Sequence, residues 1–180
     1  SNIDLTAYKA IFLCNASPLK GEALLALEDY VRKGGMLCLF PGDQPTVETY
    51  NKLKCTPFNI PPPKKNRSGS TAYPLRLNRE QGSPVTKNLQ LPRNTTPRVS
   101  VRKWIDWEIS DDQPFQVLVY AGDTIPFLVH NNYGEGQVLT WAVSADRQWS
   151  SLPVTSLFLP ILHEIVRYGA KMTAGDSYIL

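Results

Sequence analysis

The sequence predicts an α/β domain of three layers, a mixed sheet with parallel strands near the start of the chain and hairpins nearer its end. Three observations lead there. "YKAIFLCN" (8–15) and Met36–Phe40 are short, unbroken apolar runs, the pattern of strands covered on both faces. Between them "SPLKGEALLALEDYVRKGG" (17–35) carries apolar residues at helical spacing. Beyond residue 115, Gly-rich turn signals cut an apolar stretch into strand-sized pieces, and a long apolar helix follows.

Each element has its own reason. Ser17 is a candidate N-cap with Pro18 at the first helical position. Leu24, Leu27 and Val31 recur at helical spacing. Arg32 and Lys33 suit the negative end of the helix dipole, and Gly34-Gly35 stops the helix. A β-α-β unit of this kind is parallel and right-handed in nearly all cases. "PTVETYNKL" (45–53) predicts a short helix after the turn Pro41-Gly42-Asp43-Gln44. Residues 55–97 hold "IPPPKKNRSGS" and further prolines, a long excursion with a short helix expected near 83–89. "RVSVRKWIDWEI" then alternates as a strand. Three more strands are expected at 115–121, 125–130 and 136–143, joined as hairpins at Ala121-Gly122-Asp123 and Asn132–Gly136. A helix over about 153–170 has one stripe of Leu157, Ile161, Ile165 and Tyr168 and a second of Phe158, Leu162 and Val166. So wide an apolar surface is expected to pack deep on the sheet.

Composition sets the class. At 180 residues, 42% apolar and 19% charged, the chain suits one globular domain. The net charge of +3 is small, and the basic residues are scattered: Lys64, Lys65 and Arg67 in one loop, Arg98, Arg102 and Lys103 around a strand. That is solvated surface charge, and nucleic acid is not expected as a partner. Cys14, Cys38 and Cys55 form no CxxC pair, and no metal or cofactor is expected. Cys14 and Cys38 are read as small core hydrophobes. No apolar run approaches the ~20 residues of a membrane span. Ser1-Asn2 resembles a tag scar, so the chain is read as excised from a larger protein.

The candidate site follows from the parallel strands. Loops leaving their carboxyl ends meet at one edge, where ligands bind in open α/β sheets. Three loops would converge there, bringing Asn15 and Ser17, Asp43 and Gln44, and Ser144, Asp146 and Arg147 together as a candidate binding cleft, with Trp149 as a partner anchor or a lid over the core. A structural reading competes: Asp43 caps the following helix, and Asp146 pairs with Arg147 to tie the loop down. No catalytic residue is assigned. Cys38 lies inside its strand, His163 is read as a partly buried structural residue, His130 as exposed near a hairpin end, and no Cys-His pair results. A displaced carboxylate site using Asp43 and Asp146, or a small-ligand (sugar) sensor, are the alternatives.

The order of these motifs resembles the class I glutamine amidotransferase-like domain of bacterial aerotolerance-operon (Bat-type) membrane proteins. The resemblance rests on "YKAIFLCNASPL", "LEDYVRKGGMLCLFPGD" and "IPFLVHNNYGEGQVLTWAVSADRQWSSLPVTSLFLPILHEIVRY". "SADRQWSSLP" is its most specific phrase. It implies a flavodoxin-like, three-layer α/β/α fold for residues 1–180. It also implies placement on the periplasmic side of an inner membrane, with a protein partner or parent-chain domains as neighbours and the membrane reached only through missing flanking segments. In active class I amidotransferases the turn after this strand holds a cysteine in a pattern like GxCxG. Here Asp43 or Gln44 stands there. The His-x-Glu pattern is missing as well, since Glu164 directly follows His163. The resemblance therefore carries the fold and not the glutaminase chemistry.

Overall fold

Parallel strands buried on both faces set the frame. The computed structural model describes residues 4–56, 59–66, 69–78, 83–87, 89, 96–108 and 114–173. In chain order the elements are β1 (Ile11–Cys14), α1 (Gly21–Arg32), β2 (Met36–Phe40), α2 (Gln44–Tyr50), β3 (Lys64–Lys65), β4 (Thr71–Leu77), α3 (Pro84–Lys87), β5 (Arg98–Val101), β6 (Lys103–Trp104), β7 (Gln116–Ala121), β8 (Ile125–Tyr133), β9 (Gly136–Trp141) and α4 (Phe158–Thr173). A seven-stranded sheet runs β1-β2-β9-β8-β7-β4-β5, and β3 pairs with β6 in a separate ribbon. β1, β2 and β9 are parallel. The strands from β8 outward alternate in direction. The mixed sheet and the neighbouring parallel strands agree with the sequence.

β2 is the centre of the core. All five of its residues are at most 1% exposed, as a strand between two parallel neighbours and two helical layers must be. α1 packs on one face. On the other, Phe40 stacks on Trp141 with ring centroids 5.5 Å apart and meets Phe158 edge-on at 6.1 Å. α4 lies close enough on that face that a Cβ on Gly169 would sit 2.2 Å from the Lys9 carbonyl oxygen, so only glycine fits there. Among the described residues no helix is long and apolar enough to cross a membrane.

Several boundaries differ from the sequence expectation, each for a local reason. α1 begins at Gly21 with Lys20 at its N-cap. Ser17 is no cap, because its hydroxyl turns to α2, 3.2 Å from Pro45 O and 3.1 Å from Thr49 Oγ1. α4 begins at Phe158 rather than near 153, since a 3₁₀ turn occupies Leu152–Val154. The excursion is not structureless: β4 enters the main sheet and β3 the ribbon. Parts of it, with Arg67, lie outside the described residues.

The two stripes of α4 also part company. Ile161 and Ile165 are fully buried. The second stripe is not: Val166 is 41% exposed, and beside it Leu159 is 73% exposed. Cys14, expected in the core, and His163, expected partly buried, are exposed, while His130, expected exposed, is buried. β8 continues to Tyr133 instead of ending at residue 130, which puts His130 mid-strand opposite Gln116 and Leu139.

Candidate functional site

The carboxyl ends of β1, β2 and β9 do bring the predicted loops to one edge. Asn15 follows β1 with φ of 51°, a left-handed conformation that asparagine tolerates better than most residues. Its Oδ1 accepts a hydrogen bond from Thr46 Oγ1 at 2.6 Å. The side chain lies directly over Gly42, where an added Cβ would fall 1.5 Å from Oδ1. Below it, the Tyr50 hydroxyl accepts from Ala16 N and donates to Leu13 O, both at 3.0 Å, with Phe40 O 3.3 Å away. One fully buried phenol thus ties the ends of β1 and β2 together, and burial pushes its pKa up.

Asp43 sits at the N-cap position of α2, but its side chain makes no capping hydrogen bond. Its carboxylate pairs instead with Lys103 Nζ, from the β3–β6 ribbon. Only 18% of the Lys103 side chain is exposed, and its ammonium lies 4.6 Å from the ring centroid of Trp149, a cation–π contact. Trp149 is 3% exposed and belongs to the buried core cluster. Gln44 opens α2, and its side chain lies outside the described part of the structure.

The "SADRQWSSLP" phrase resolves into a set of internal ties. Asp146 Oδ1 accepts from Ser144 Oγ at 2.8 Å and from Gln148 N at 2.9 Å, an Asx-type turn. It therefore does not pair with Arg147 as expected: the loop's own donors reach it first. Trp149 O accepts from Arg102 N at 2.8 Å and Lys103 N at 3.2 Å. Ser151 Oγ accepts from Ser100 N at 2.8 Å, and Ser150 Oγ from Leu152 N at 3.2 Å. The Arg102 guanidinium donates to the carbonyls of Arg147 and Gln148. Arg147 is exposed and makes no ion pair among the described residues.

Sequence reasoning missed Lys103, Tyr50 and Thr46. Lys103 follows the excursion and looks like ordinary surface charge, because nothing local signals that β3 will swing it to the strand tips. The thiols offer no nucleophile at the turn. Cys38 is fully buried and its pKa is pushed up by burial. Cys55 is pushed up to about 12, chiefly by burial and then by Glu28. Among the described residues, no three His, Cys, Asp or Glu side chains gather closely enough to hold a metal ion.

A second concave surface adjoins the tips and has the opposite chemistry. It is an open groove of about 670 Å³ between β1 and α4. Phe12, Cys14, Phe158, Leu162, His163 and Val166 are among its walls. Burial raises the Cys14 pKa.

No protein-family model matches the sequence, and no curated protein does. Solved structures do match. A cytoplasmic protein of Salmonella typhimurium superposes with a TM-score of 0.62 at 14% identity, over 91% of this chain and 72% of that one. A ThuA-like protein of Parabacteroides merdae gives a TM-score of 0.59 at 14% identity, over 99% of this chain and 75% of that one. A β-galactosidase of Bacillus circulans gives a TM-score of 0.59 at 14% identity, covering 94% of this chain but 24% of the enzyme. At such identities the likeness speaks for the fold alone: flavodoxin-like, of the class I glutamine amidotransferase type.

Proposed function

We propose that this chain is a non-catalytic, amidotransferase-like binding or assembly module. The observation that carries the reading is the turn after β2. The position where an active relative of this fold would need a thiol is Asp43 or Gln44, with Asn15 filling the space over the neighbouring Gly42 and Lys103 holding Asp43. The polar groups at the tips are largely spent on one another and on the backbone. Such an edge holds its own shape, and among the described residues no cysteine there has a base in hydrogen-bond reach.

The finer affiliation, to Bat-type membrane proteins with the domain on the periplasmic side of an inner membrane, rests on the sequence resemblance. The internal ties of "SADRQWSSLP" give that phrase an architectural role in this chain. Partners are then other proteins or domains of the parent chain. The test is direct: purified protein is incubated with glutamine, and ammonia release is measured. No release above the buffer rate is expected. Release that disappears in Cys14→Ser or Cys38→Ala would overturn the reading.

A further inference from the structure

Among the described residues, four of the five exposed large apolar side chains stand near one feature of this fold, the open edge at β1; the fifth, Val154, lies on the 3₁₀ turn before α4. Leu159 (73% exposed) and Val166 (41%) lie on the α4 side of that edge, in or beside the groove walled by Phe12, Cys14, Phe158 and Leu162. Tyr8 (53%) leads into the strand. Leu25 (63%) lies on α1 one turn before Asp29, which shares a small recess with Leu5, Thr6 and Tyr30. The edge is therefore apolar on its α4 face, while on its α1 face Leu25 stands open near a recess that Asp4, Asp29 and Lys33 also line. β1 itself, Ile-Phe-Leu-Cys, carries no charge, proline or bulge that would blunt it. A parallel strand left uncovered on one face is unusual, because parallel sheets are buried on both.

Topology says what fits. β1, β2 and β9 take the places of the third, fourth and fifth strands of the flavodoxin-like order 2-1-3-4-5. In that order two further strands lie outside the third. Right-handed crossovers then place their helices on opposite faces. The first helix reverses direction along the sheet and falls on the α4 face, where the groove is. The second falls on the α1 face, beside Leu25. Residues 4–8 approach β1 from that same α1 face: Leu5 and Thr6 lie by α1, and Tyr30 Oη donates to Tyr8 O at 3.1 Å. The Salmonella and Parabacteroides structures of this fold, matched over 72% and 75% of their chains, carry polypeptide beyond the shared part.

We infer that the β1 edge and the β1–α4 groove are the docking surface for a strand–helix–strand–helix unit supplied by polypeptide that leads into Asp4. Its first strand pairs in parallel with β1. Its first helix lays an apolar stripe on Leu159, Leu162 and Val166. This stands apart from the reading of the strand tips and survives whether or not they are catalytic.

The test compares this chain with the same chain extended upstream by roughly 60 residues of its own gene, two units of the ~30-residue β-α-β size. Cys14 is the exposed one of three cysteines, with Cys38 and Cys55 buried, so iodoacetamide labelling reports on the groove. In the extended chain, Cys14 labelling should slow at least about tenfold, and the amides of Ile11–Cys14 should gain hydrogen-exchange protection. Leu159→Glu should leave the unfolding midpoint of the short chain unchanged, lower that of the extended chain and restore its labelling. Equal labelling of Cys14 in both chains would overturn the inference. So would a gene that opens at this segment, or protection of Cys14 in the short chain that grows with its own concentration, which would make a second copy the occupant.

Discussion

The strand tips and the β1 edge lie side by side and were built by different rules. At the tips, polar groups meet polar partners from the same chain: Asn15 with Thr46, Asp43 with Lys103, Asp146 with Ser144 and Gln148 N. At the edge, apolar groups such as Leu159, Val166 and Leu25 stand open to solvent. A closed polar surface costs little in water and asks for no partner. An open apolar one is what association removes. In this fold family the tips are where chemistry is expected, yet here the unmet surface lies beside them.

The two stripes of α4 give that contrast its largest test. Ile161 is fully buried against the sheet, so Ile161→Ala should cost about 2–5 kcal/mol. Leu159 is two positions away and open, so Leu159→Ala should change the short chain by no more than about 0.5 kcal/mol. Urea unfolding of the two variants separates them. Equal losses would mean that the groove is already filled in solution.

Next in size is the close approach over the β2 turn. An alanine Cβ at residue 42 would fall 1.5 Å from Asn15 Oδ1 and 3.0 Å from Thr46 Oγ1. Gly42→Ala should therefore cost about 1–3 kcal/mol as the Asn15–Thr46 bond is forced apart. Removing the obstacle with Asn15→Gly, which also suits the left-handed backbone, should recover much of that loss. A double-mutant cycle with no coupling would show that the turn is not closed by Asn15.

The contrast also explains what the sequence could and could not tell. β1, β2, α1 and the hairpins were legible because apolar period and turn residues are local. β4 was missed because Pro74 interrupts its alternation of Tyr73, Leu75 and Leu77, and proline ordinarily argues against an interior strand. Here Pro74 still serves the turn, its carbonyl accepting from Gly122 N at 2.8 Å. Asp43 and Asp146, with Ser144, were placed at the strand tips by loop convergence, and Trp149 was singled out as an aromatic in a polar loop. Lys103, which meets both Asp43 and Trp149, was not, since it lies 60 residues away from Asp43 in sequence. The open face of α4 was invisible for the opposite reason. A second apolar stripe looks the same in sequence whether or not something covers it.

His130 offers a pH-dependent test away from both surfaces. It is 8% exposed, its Nε2 lies 3.1 Å from Gln137 Oε1, and Gln137 Nε2 donates to Tyr168 Oη at 3.1 Å. Burial lowers its pKa, and the Gln137 contact opposes this in part. Above the ordinary histidine value of about 6.5, neither folded nor unfolded chain is protonated there. Below it the unfolded chain takes up a proton that the folded chain resists, so stability falls as pH falls toward the lowered value. His130→Gln should flatten that part of the profile. Unfolding midpoints at about pH 7.5 and about pH 5.5 supply the comparison, and an unchanged slope in the variant would remove His130 as the cause.

The smallest effect is expected at Arg147, and its smallness is informative. Had this arginine paired with a partly buried carboxylate, its loss would leave that group unsatisfied and cost about 1–3 kcal/mol. The structure instead gives Asp146 to Ser144 Oγ and Gln148 N. What Arg147 contributes to the loop is its carbonyl, which accepts from the Arg102 guanidinium, and alanine keeps a carbonyl. Arg147→Ala should therefore leave the denaturant midpoint unchanged within about 0.5 kcal/mol, while Arg102→Ala, which removes the donor to both Arg147 O and Gln148 O, should lower it further. That order of effects would leave the Arg147 guanidinium as a charged group at the tips not committed to holding the loop, available to an anionic group of whatever docks there. A larger loss for Arg147 than for Arg102 would mean that the tips are held by the side chain after all.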